Sequence, residues 1–269
     1  MSSRSRLGRY GLRFFALGYL AFLLVMPVGM VFVRMFDAGL GDVWSAITSP
    51  DGVHAFYLTL LMVLIAVPLN TIFGIGCALL LVRTEFRGKA LLNAVIDIPF
   101  AISPVVIGLS LVLVYGNFGW FGGWLADHGI QVIFSVPGMA LATIFVSLPF
   151  VVREVVPVLQ EIGDEQEQAA RTLGASPWQT FGRVTLPAIR WGVAYGVVLS
   201  TARALGEFGA VSVVSGRITG QTETVPLFVQ RAFTNFDPAG AYGASVALAL
   251  IAVATLLIMN FARRKEAAT

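Results

Sequence analysis

Three charged side chains, Asp97, Arg203 and Glu207, lie inside long apolar stretches, where a charge needs a partner or a wet cavity. Arg203 and Glu207 are four residues apart, so on a helix they share a face and can pair. That pair could line or gate a polar pathway, or it could hold a helix bundle together. Two carboxylates, Asp97 and Glu207, could also serve an intramembrane enzyme if they converged in one cavity. Asp97 lies near a polar loop, which favours a solvated carboxylate at a helix end.

Other patterns that carry chemistry are absent from the sequence. There is no GxxxxGK[ST] phosphate-binding loop, no GxSxG motif and no HExxH motif. Cys77 is the only cysteine, which excludes an intrachain disulfide framework, and His54 and His128 belong to no metal-ligand pattern. We therefore expect a chain that is not an enzyme and that binds no cofactor or metal of its own.

The longest polar stretch, residues 153–190, stands between two apolar runs and predicts a pair of short helices. Asp164 can cap the first helix, with Glu167 three residues later completing a capping box. Gly174 suits the left-handed position that ends such a helix. A capped helix pair inside a hydrophobic protein indicates a rigid part that docks onto a soluble partner.

The second short helix of this stretch is predicted to begin at Ser176. Gln179 can complete a capping box with Ser176, and Pro177 fits the first turn. Trp178 and Phe181 are three residues apart and therefore share a helix face. Exposed aromatic side chains need a partner, so these two could fill a groove on another protein, or they could pack back on their own bundle.

The composition indicates a polytopic membrane protein. Hydrophobic residues make up 57% of the chain and charged residues only 12%, whereas soluble domains carry about 25% charged residues. A membrane-spanning helix needs about 20 apolar residues. The segments that reach this length are 14–36, 56–82, 91–116, 132–152, 191–214 and 240–262. We expect an all-α fold with six transmembrane helices, the first of them retained rather than cleaved.

Lysine and arginine are distributed unequally between the two sets of loops. Fourteen fall in the N-terminal segment, residues 83–90, residues 153–190 and the C-terminal segment, against two in the alternate loops. The positive-inside rule therefore predicts that both termini and the polar stretch are cytoplasmic. The predicted parts are residues 1–55 (tail, first helix and outer loop), 56–262 (a five-helix core with the loop 153–190) and 263–269 (a cytoplasmic tail).

The polar stretch resembles the EAA motif of ABC importer permeases. That motif reads Glu-Ala-Ala, a few residues, Gly, nine residues, a hydrophobic residue, any residue, then Leu-Pro. The chain matches it at Ala169-Ala170, Gly174 and Leu186-Pro187 with the same spacing, whereas Gln168 occupies the glutamate position and Val184 the isoleucine position. A missing carboxylate at Gln168 removes any ion pair made there by relatives, and Glu167 could substitute only with a shifted geometry.

A second resemblance concerns the transported substrate. Residues 203–216, RALGEFGAVSVVSG, and 222–229, TETVPLFV, are similar to the W-type subunits of sulfate/thiosulfate importers. The segments VPLN at 67–70 and IPFAISPVVIGL at 98–109 agree with the same family. The GEFG portion, residues 206–209, is also similar to molybdate and tungstate permeases.

The resemblance implies a type I ABC importer permease with the MetI-like fold, in a bacterial inner membrane. Its implied partners are a T-type permease subunit, a cytoplasmic ATPase dimer that carries ATP and Mg²⁺, and a periplasmic or lipid-anchored sulfate-binding protein. The residues implied to couple the chain to the ATPase are Gln168, Ala169, Ala170, Gly174, Trp178, Phe181, Leu186 and Pro187. Arg203 and Glu207 are candidates for the pore or gate. Alternatives are a molybdate/tungstate permease, the intramembrane enzyme and an ATP-independent anion channel.

Overall fold

The computed structural model describes residues 3–266, and it describes the side chains of residue 10 and residues 12–257. The described chain is mostly helical and contains no β-strand, so the all-α prediction is confirmed. The basic side chains at both ends that entered the charge count, apart from Arg13, lie outside the described side chains. The same is true of every side chain of the predicted tail 263–269.

The helices follow one another with short connections. They are α1 (Ser3–Leu20), α2 (Met26–Asp37), α3 (Leu40–Ile47), α4 (Pro50–Arg83), α5 (Lys89–Ala101), α6 (Pro104–Tyr115), α7 (Gly122–Asp127), α8 (Val136–Ile162), α9 (Glu165–Thr172), α10 (Pro177–Thr180), α11 (Leu186–Leu205), α12 (Gly209–Val214), α13 (Val225–Thr234) and α14 (Pro238–Glu266). Two π-helical turns, Ala21–Val25 and Phe181–Thr185, join α1 to α2 and α10 to α11.

Within the described residues, four helical segments are long and apolar enough to cross a membrane. They are Leu12–Asp37, Pro50–Arg83, Val136–Ile162 and Pro238–Leu257. A fifth span is formed if α5 and α6, which meet at an angle of 113°, count as one broken span. The chain is thus a multi-pass membrane protein, but the expectation of six continuous spans is not fully confirmed.

Two of the six predicted spans, 91–116 and 191–214, are not continuous helices in the structure, because each is broken. The first breaks at Ile102 and Ser103, because Pro104 disfavours helical geometry in the residue before it and starts a new helix instead. The second breaks between α11 and α12, around Gly206 and Glu207. The predicted boundary at residues 55 and 56 falls inside α4, which begins at Pro50.

The centre of the bundle is formed by α4, α8 and α11, which approach one another closely because glycines face the contacts. A Cβ added at Gly74 would lie 2.8 Å from the Val151 side chain, and one at Gly196 would lie 2.8 Å from the Val151 Cα. Small residues let membrane helices approach in this way. Asn70 adds a polar link, since its amide donates to Ile144 O at 3.0 Å and to Ser147 Oγ at 2.9 Å.

The two helices that follow the breaks, α6 and α12, pack against each other. A Cβ at Gly108 would lie 2.7 Å from Ala210 O, and one at Gly209 would lie 2.8 Å from the Pro104 side chain. This close approach requires glycine at both positions. It places the break in α11–α12, and with it Glu207, beside the break in α5–α6.

Candidate functional site

The polar stretch 153–190 comprises the end of α8, the short helices α9 and α10, and the start of α11. We call its exposed part, residues 165–180 with α9 and α10, the α9–α10 hairpin. Gly174 has φ 84°, so it occupies the left-handed region that favours glycine. Its N–H donates to Arg171 O at 3.0 Å, and the Ala175 N–H donates to Ala170 O at 3.0 Å. These two bonds form a Schellman motif, which confirms the predicted end of the first helix.

One of the two predicted capping boxes is present. Ser176 Oγ accepts from the Gln179 N–H at 3.4 Å, and the Gln179 side chain accepts from the Ser176 N–H at 2.9 Å. The other prediction is wrong, because Asp164 makes no capping bond with its side chain. Its carboxylate instead accepts from Gln168 Nε2 at 2.7 Å, so Gln168 is held on the outer face of α9.

The second short helix, α10, is not a separate helix. It continues through the π-helical turn into α11, and the Leu186 N–H donates to Phe181 O, five residues earlier. Pro187 explains the wider turn, because its ring has no N–H and clashes with the carbonyl four residues before it. The hairpin is therefore continuous with a central helix of the bundle.

The outer surface of the hairpin carries large apolar side chains with nothing packed over them. Trp178 is 84% exposed and Leu173 is 87% exposed, whereas Phe181 is half-buried. The alternative that these aromatic side chains pack back on their own bundle is thus wrong for Trp178 and correct in part for Phe181. The small Ala169 is also exposed beside them, and Leu186 is 37% exposed. An exposed tryptophan and leucine on a rigid turn form a typical docking surface.

The inner side of the hairpin contains an ion pair that the sequence analysis did not find. The Glu167 carboxylate is buried and accepts from Arg83 Nε at 3.1 Å and from Arg83 Nη2 at 3.2 Å. Glu167 Oε1 also accepts from Thr185 Oγ1 at 2.9 Å. Glu167 therefore points away from the outer face and does not replace the carboxylate missing at Gln168. No local signal reveals this pair, because its members are 84 residues apart.

Asp97 lies near the end of α5 with its side chain 42% exposed, but it is paired with a cation, which the sequence did not indicate. Arg153 on α8 donates from Nε to Asp97 Oδ1 at 2.8 Å and contacts Oδ2 with Nη2. The same guanidinium donates to Asn93 Oδ1 at 3.1 Å. A charged group in an apolar segment needs such a partner, and here the partner comes from another helix.

Arg203 and Glu207 form the predicted ion pair, with Nη1 2.7 Å from Oε2. The Glu207 side chain is 2% exposed, and its Oε1 accepts from the Ala210 N–H at 2.8 Å, which caps the start of α12. Glu207 lines a small enclosure with Thr59, Thr143 and Thr224. Asp97 pairs with Arg153 and Glu207 pairs with Arg203, so the two carboxylates belong to separate ion pairs rather than to the shared site that the enzyme hypothesis requires.

The opposite end of the bundle holds a second network that sequence reasoning missed. Arg231 on α13 donates from Nε to Glu223 Oε1 at 2.7 Å and from Nη2 to Oε2 at 2.9 Å, with Asp51 3.6 Å away. The hydrogen bond with Glu223 raises the pKa of Arg231, so the guanidinium stays charged. The Val225 N–H donates to Thr59 Oγ1 at 2.9 Å, which joins α13 to α4.

No group of three or more His, Cys, Asp or Glu side chains that could hold a metal lies among the described residues. Cys77 is buried within α4. The described residues thus offer ion pairs, most of them between separate elements, and an exposed apolar surface.

Comparison with known proteins agrees with this description. Residues 70–265 match the model of the family described as binding-protein-dependent transport system inner membrane component. The chain is 54% identical to a sulfate transport system permease protein CysW of Synechocystis, over 96% of this chain and 93% of that protein. It is 50% identical to the CysW protein of Escherichia coli K12, over 89% and 82% of the two chains.

More distant relatives define the fold. The sulfate transport system permease protein CysT of Escherichia coli K12 is 39% identical over 90% of this chain and 86% of that protein. A chain in the crystal structure of a bacterial alginate ABC transporter, in complex with alginate pentasaccharide-bound periplasmic protein, superposes with a TM-score of 0.81. That match covers 97% of this chain and 96% of the other at 16% identity.

Proposed function

Since the chain belongs to the family of binding-protein-dependent transport system inner membrane components, we propose that it is a permease subunit of an ATP-driven sulfate importer. The observation that carries this proposal is the identity of 50–54% with CysW sulfate permeases over nearly the whole chain. Identity with the CysT permease is lower, at 39%, which favours the W-type position. The chain would have no catalytic activity of its own.

The partners follow from the same proposal. A T-type permease subunit would complete the pore, and a periplasmic or lipid-anchored binding protein would deliver sulfate or thiosulfate. A cytoplasmic ATPase dimer would carry ATP and Mg²⁺ and would dock on the α9–α10 hairpin. The exposed Trp178 and Leu173, on either side of the Gly174 turn, support that docking role. Gln168, Ala169 and Ala170 would lie at the same contact, and Leu186 and Pro187 would fix its junction with α11.

Uptake by the complete importer tests the assignment of sulfate as the substrate. Proteoliposomes that contain this chain, the T-type subunit, the ATPase and the binding protein should accumulate sulfate only when ATP is hydrolysed. Excess thiosulfate should compete, and molybdate should compete weakly. A matched importer whose ATPase cannot hydrolyse ATP is the control. Preferential molybdate uptake would assign the chain to the molybdate/tungstate permeases, and sulfate flux without hydrolysis would assign it to the channels.

The proposed location is the bacterial plasma membrane, with both termini and the hairpin in the cytoplasm, as the distribution of basic residues predicts. In a Cys77→Ser background, a membrane-impermeant thiol reagent added to intact cells should label a cysteine at Trp120, which is 87% exposed. A cysteine at Leu173 should stay unlabelled until the cells are opened. The reverse pattern would invert the topology.

Variants of the Arg203–Glu207 pair distinguish a role in anion passage from a structural role. Arg203→Gln should destabilise the chain by about 3 kcal/mol, because it leaves the buried Glu207 charge without its partner. Arg203→Gln/Glu207→Gln should recover most of that stability, which thermal unfolding of the purified importer measures. If Arg203 serves anion passage, sulfate uptake should stay low in the double variant. Normal uptake there would leave only the structural role.

A further inference from the structure

Arg83, the last residue of α4, connects three parts of the chain through one guanidinium. Its Nη1 donates to Leu159 O at 3.1 Å and its Nη2 to Gly163 O at 2.6 Å, at the end of α8. Its Nε and Nη2 donate to the Glu167 carboxylate on α9. The pair is largely shielded from solvent, with side-chain exposures of 16% for Arg83 and 9% for Glu167. Charge-assisted bidentate bonds of this kind have a well-defined geometry.

Glu167 extends the same connection to a fourth element. Its Oε1 accepts from Thr185 Oγ1, and Thr185 is the residue before α11 begins. The carboxylate is therefore bonded on one side to the end of α4 and on the other to the start of α11. Both helices belong to the centre of the bundle.

Apart from this ion pair and the Glu167–Thr185 bond, α9 is joined to the rest of the chain through a glycine turn at each end. Those ends are Gly163, with φ 69°, and Gly174, with φ 84°. A Cβ added at either glycine would meet nothing within 4 Å, so the space beside both turns is open. Two open glycine turns around an eight-residue helix make a natural pair of hinges. The buried ion pair is what fixes the angle between α9 and the bundle.

We propose that Arg83 and Glu167 form a latch that makes the α9–α10 hairpin move as one body with α4, α8 and α11. This inference rests on the proposed function, since it assigns the latch to the transfer of ATPase motion into the membrane helices. Arg83 and Glu167 are positioning residues and touch neither ATP nor the transported anion. With the latch open, the ATPase still docks on Trp178 and moves α11, which continues from α10. The glycine turns at both ends of α9 then let that helix lag behind, so the motion is not passed through α9 to the ends of α4 and α8.

Helix α4 is long enough to carry this motion to the far end of the bundle. The helix runs without interruption from Pro50 to Arg83, which is 34 residues. Near its other end, Thr59 accepts the Val225 N–H, and Asp51 lies beside Arg231. Displacement of Arg83 along the helix axis therefore reaches α13 through hydrogen bonds at both ends.

A coupling assay on the complete importer tests the latch. Glu167→Gln preserves the shape of the side chain and its bond to Thr185, but removes the charge that holds Arg83. The ATPase should copurify and hydrolyse ATP as before, while sulfate moved per ATP should fall by about tenfold. Arg83→Lys, which keeps the charge, should show a smaller loss. The control is Glu161→Gln, an exposed carboxylate near the end of α8 and outside the hairpin, which should behave as wild type.

A distance measurement tests the latch without reference to the transported anion. Spin labels at Ile72 on α4 and Arg171 on α9, both exposed, are introduced in a Cys77→Ser importer. The wild-type latch should give one narrow distance distribution that nucleotide does not change. Glu167→Gln should broaden it or make it depend on nucleotide.

The outcomes separate the latch from the proposed function. If the wild-type importer moves no sulfate but the spin-label distances behave as expected, the latch stands and the substrate assignment fails. If Glu167→Gln keeps the wild-type ratio of sulfate to ATP and a narrow distance distribution, the latch is overturned. Loss of ATPase copurification in both Glu167→Gln and Arg83→Lys would also overturn it, because the pair would then serve assembly alone.

Discussion

Trp178→Ala is expected to weaken ATPase binding by about thirty-fold, or about 2 kcal/mol, because tryptophans central to an interface are typical hot spots. Trp178 is 84% exposed, so its indole is available to a groove on the partner. For the same reason, its removal should leave the folding of the chain almost unchanged. Titration of the purified permease pair with the ATPase measures the loss, and thermal unfolding measures the stability.

Trp120→Ala provides the matched control for this experiment. Trp120 is 87% exposed, but it lies in the connection between α6 and α7, away from the hairpin. Its replacement removes the same apolar surface and should leave ATPase affinity unchanged. Equal affinity of the Trp178→Ala and wild-type chains would show that the partner does not use this side chain.

Gly174→Val is expected to reduce sulfate uptake by about tenfold, because a β-branched residue costs about 1–2 kcal/mol in the left-handed region and opens the turn. The cost arises because Gly174 has a φ of 84°, although a Cβ at Gly174 would meet no neighbour within 4 Å. The strain is therefore in the backbone and not in packing. Gly174→Asp should also impair coupling, and it adds a charge to the docking surface. Gly174→Asn should be mildest, since asparagine tolerates this conformation.

Gly182→Val is the control for the backbone argument. A Cβ at Gly182 would also meet nothing within 4 Å, but its φ is not positive. The two glycines thus differ in conformation rather than in free space. ATPase copurification and uptake report the effect of each variant. Wild-type values for Gly174→Val, or equal losses for both valine variants, would contradict the assignment of Gly174 as a strained turn.

Local patterns predicted the parts of this protein that depend on near neighbours in the chain. The apolar runs gave the long helices α4, α8 and α14, because about 20 apolar residues suffice to define a span. The Gly174 turn and the Ser176–Gln179 capping box were predicted because their bonds join residues within one turn of helix. The pairing of Arg203 with Glu207 was predicted because the two lie four residues apart on one helix.

The same local logic failed where a distant residue competed for the side chain. Glu167 was expected to cap its own helix, but Arg83 binds it across 84 residues. Asp97 is partly exposed as expected, but its pairing with Arg153 from α8 was not predicted. The continuous spans at 91–116 and 191–214 are broken instead, and the pieces α6 and α12 pack on each other at Gly108 and Gly209.

The sequence by itself determined that this is a helical membrane protein with an exposed, glycine-ended hairpin and no nucleotide-binding loop of its own. It could do so because hydropathy, capping and turn chemistry act over a few residues. The tertiary structure alone decided which charges meet. A buried charge takes whichever partner the packing brings within reach, and for Glu167 that partner is the last residue of α4. The hairpin is therefore both a docking surface and, through Arg83, an extension of the central helices.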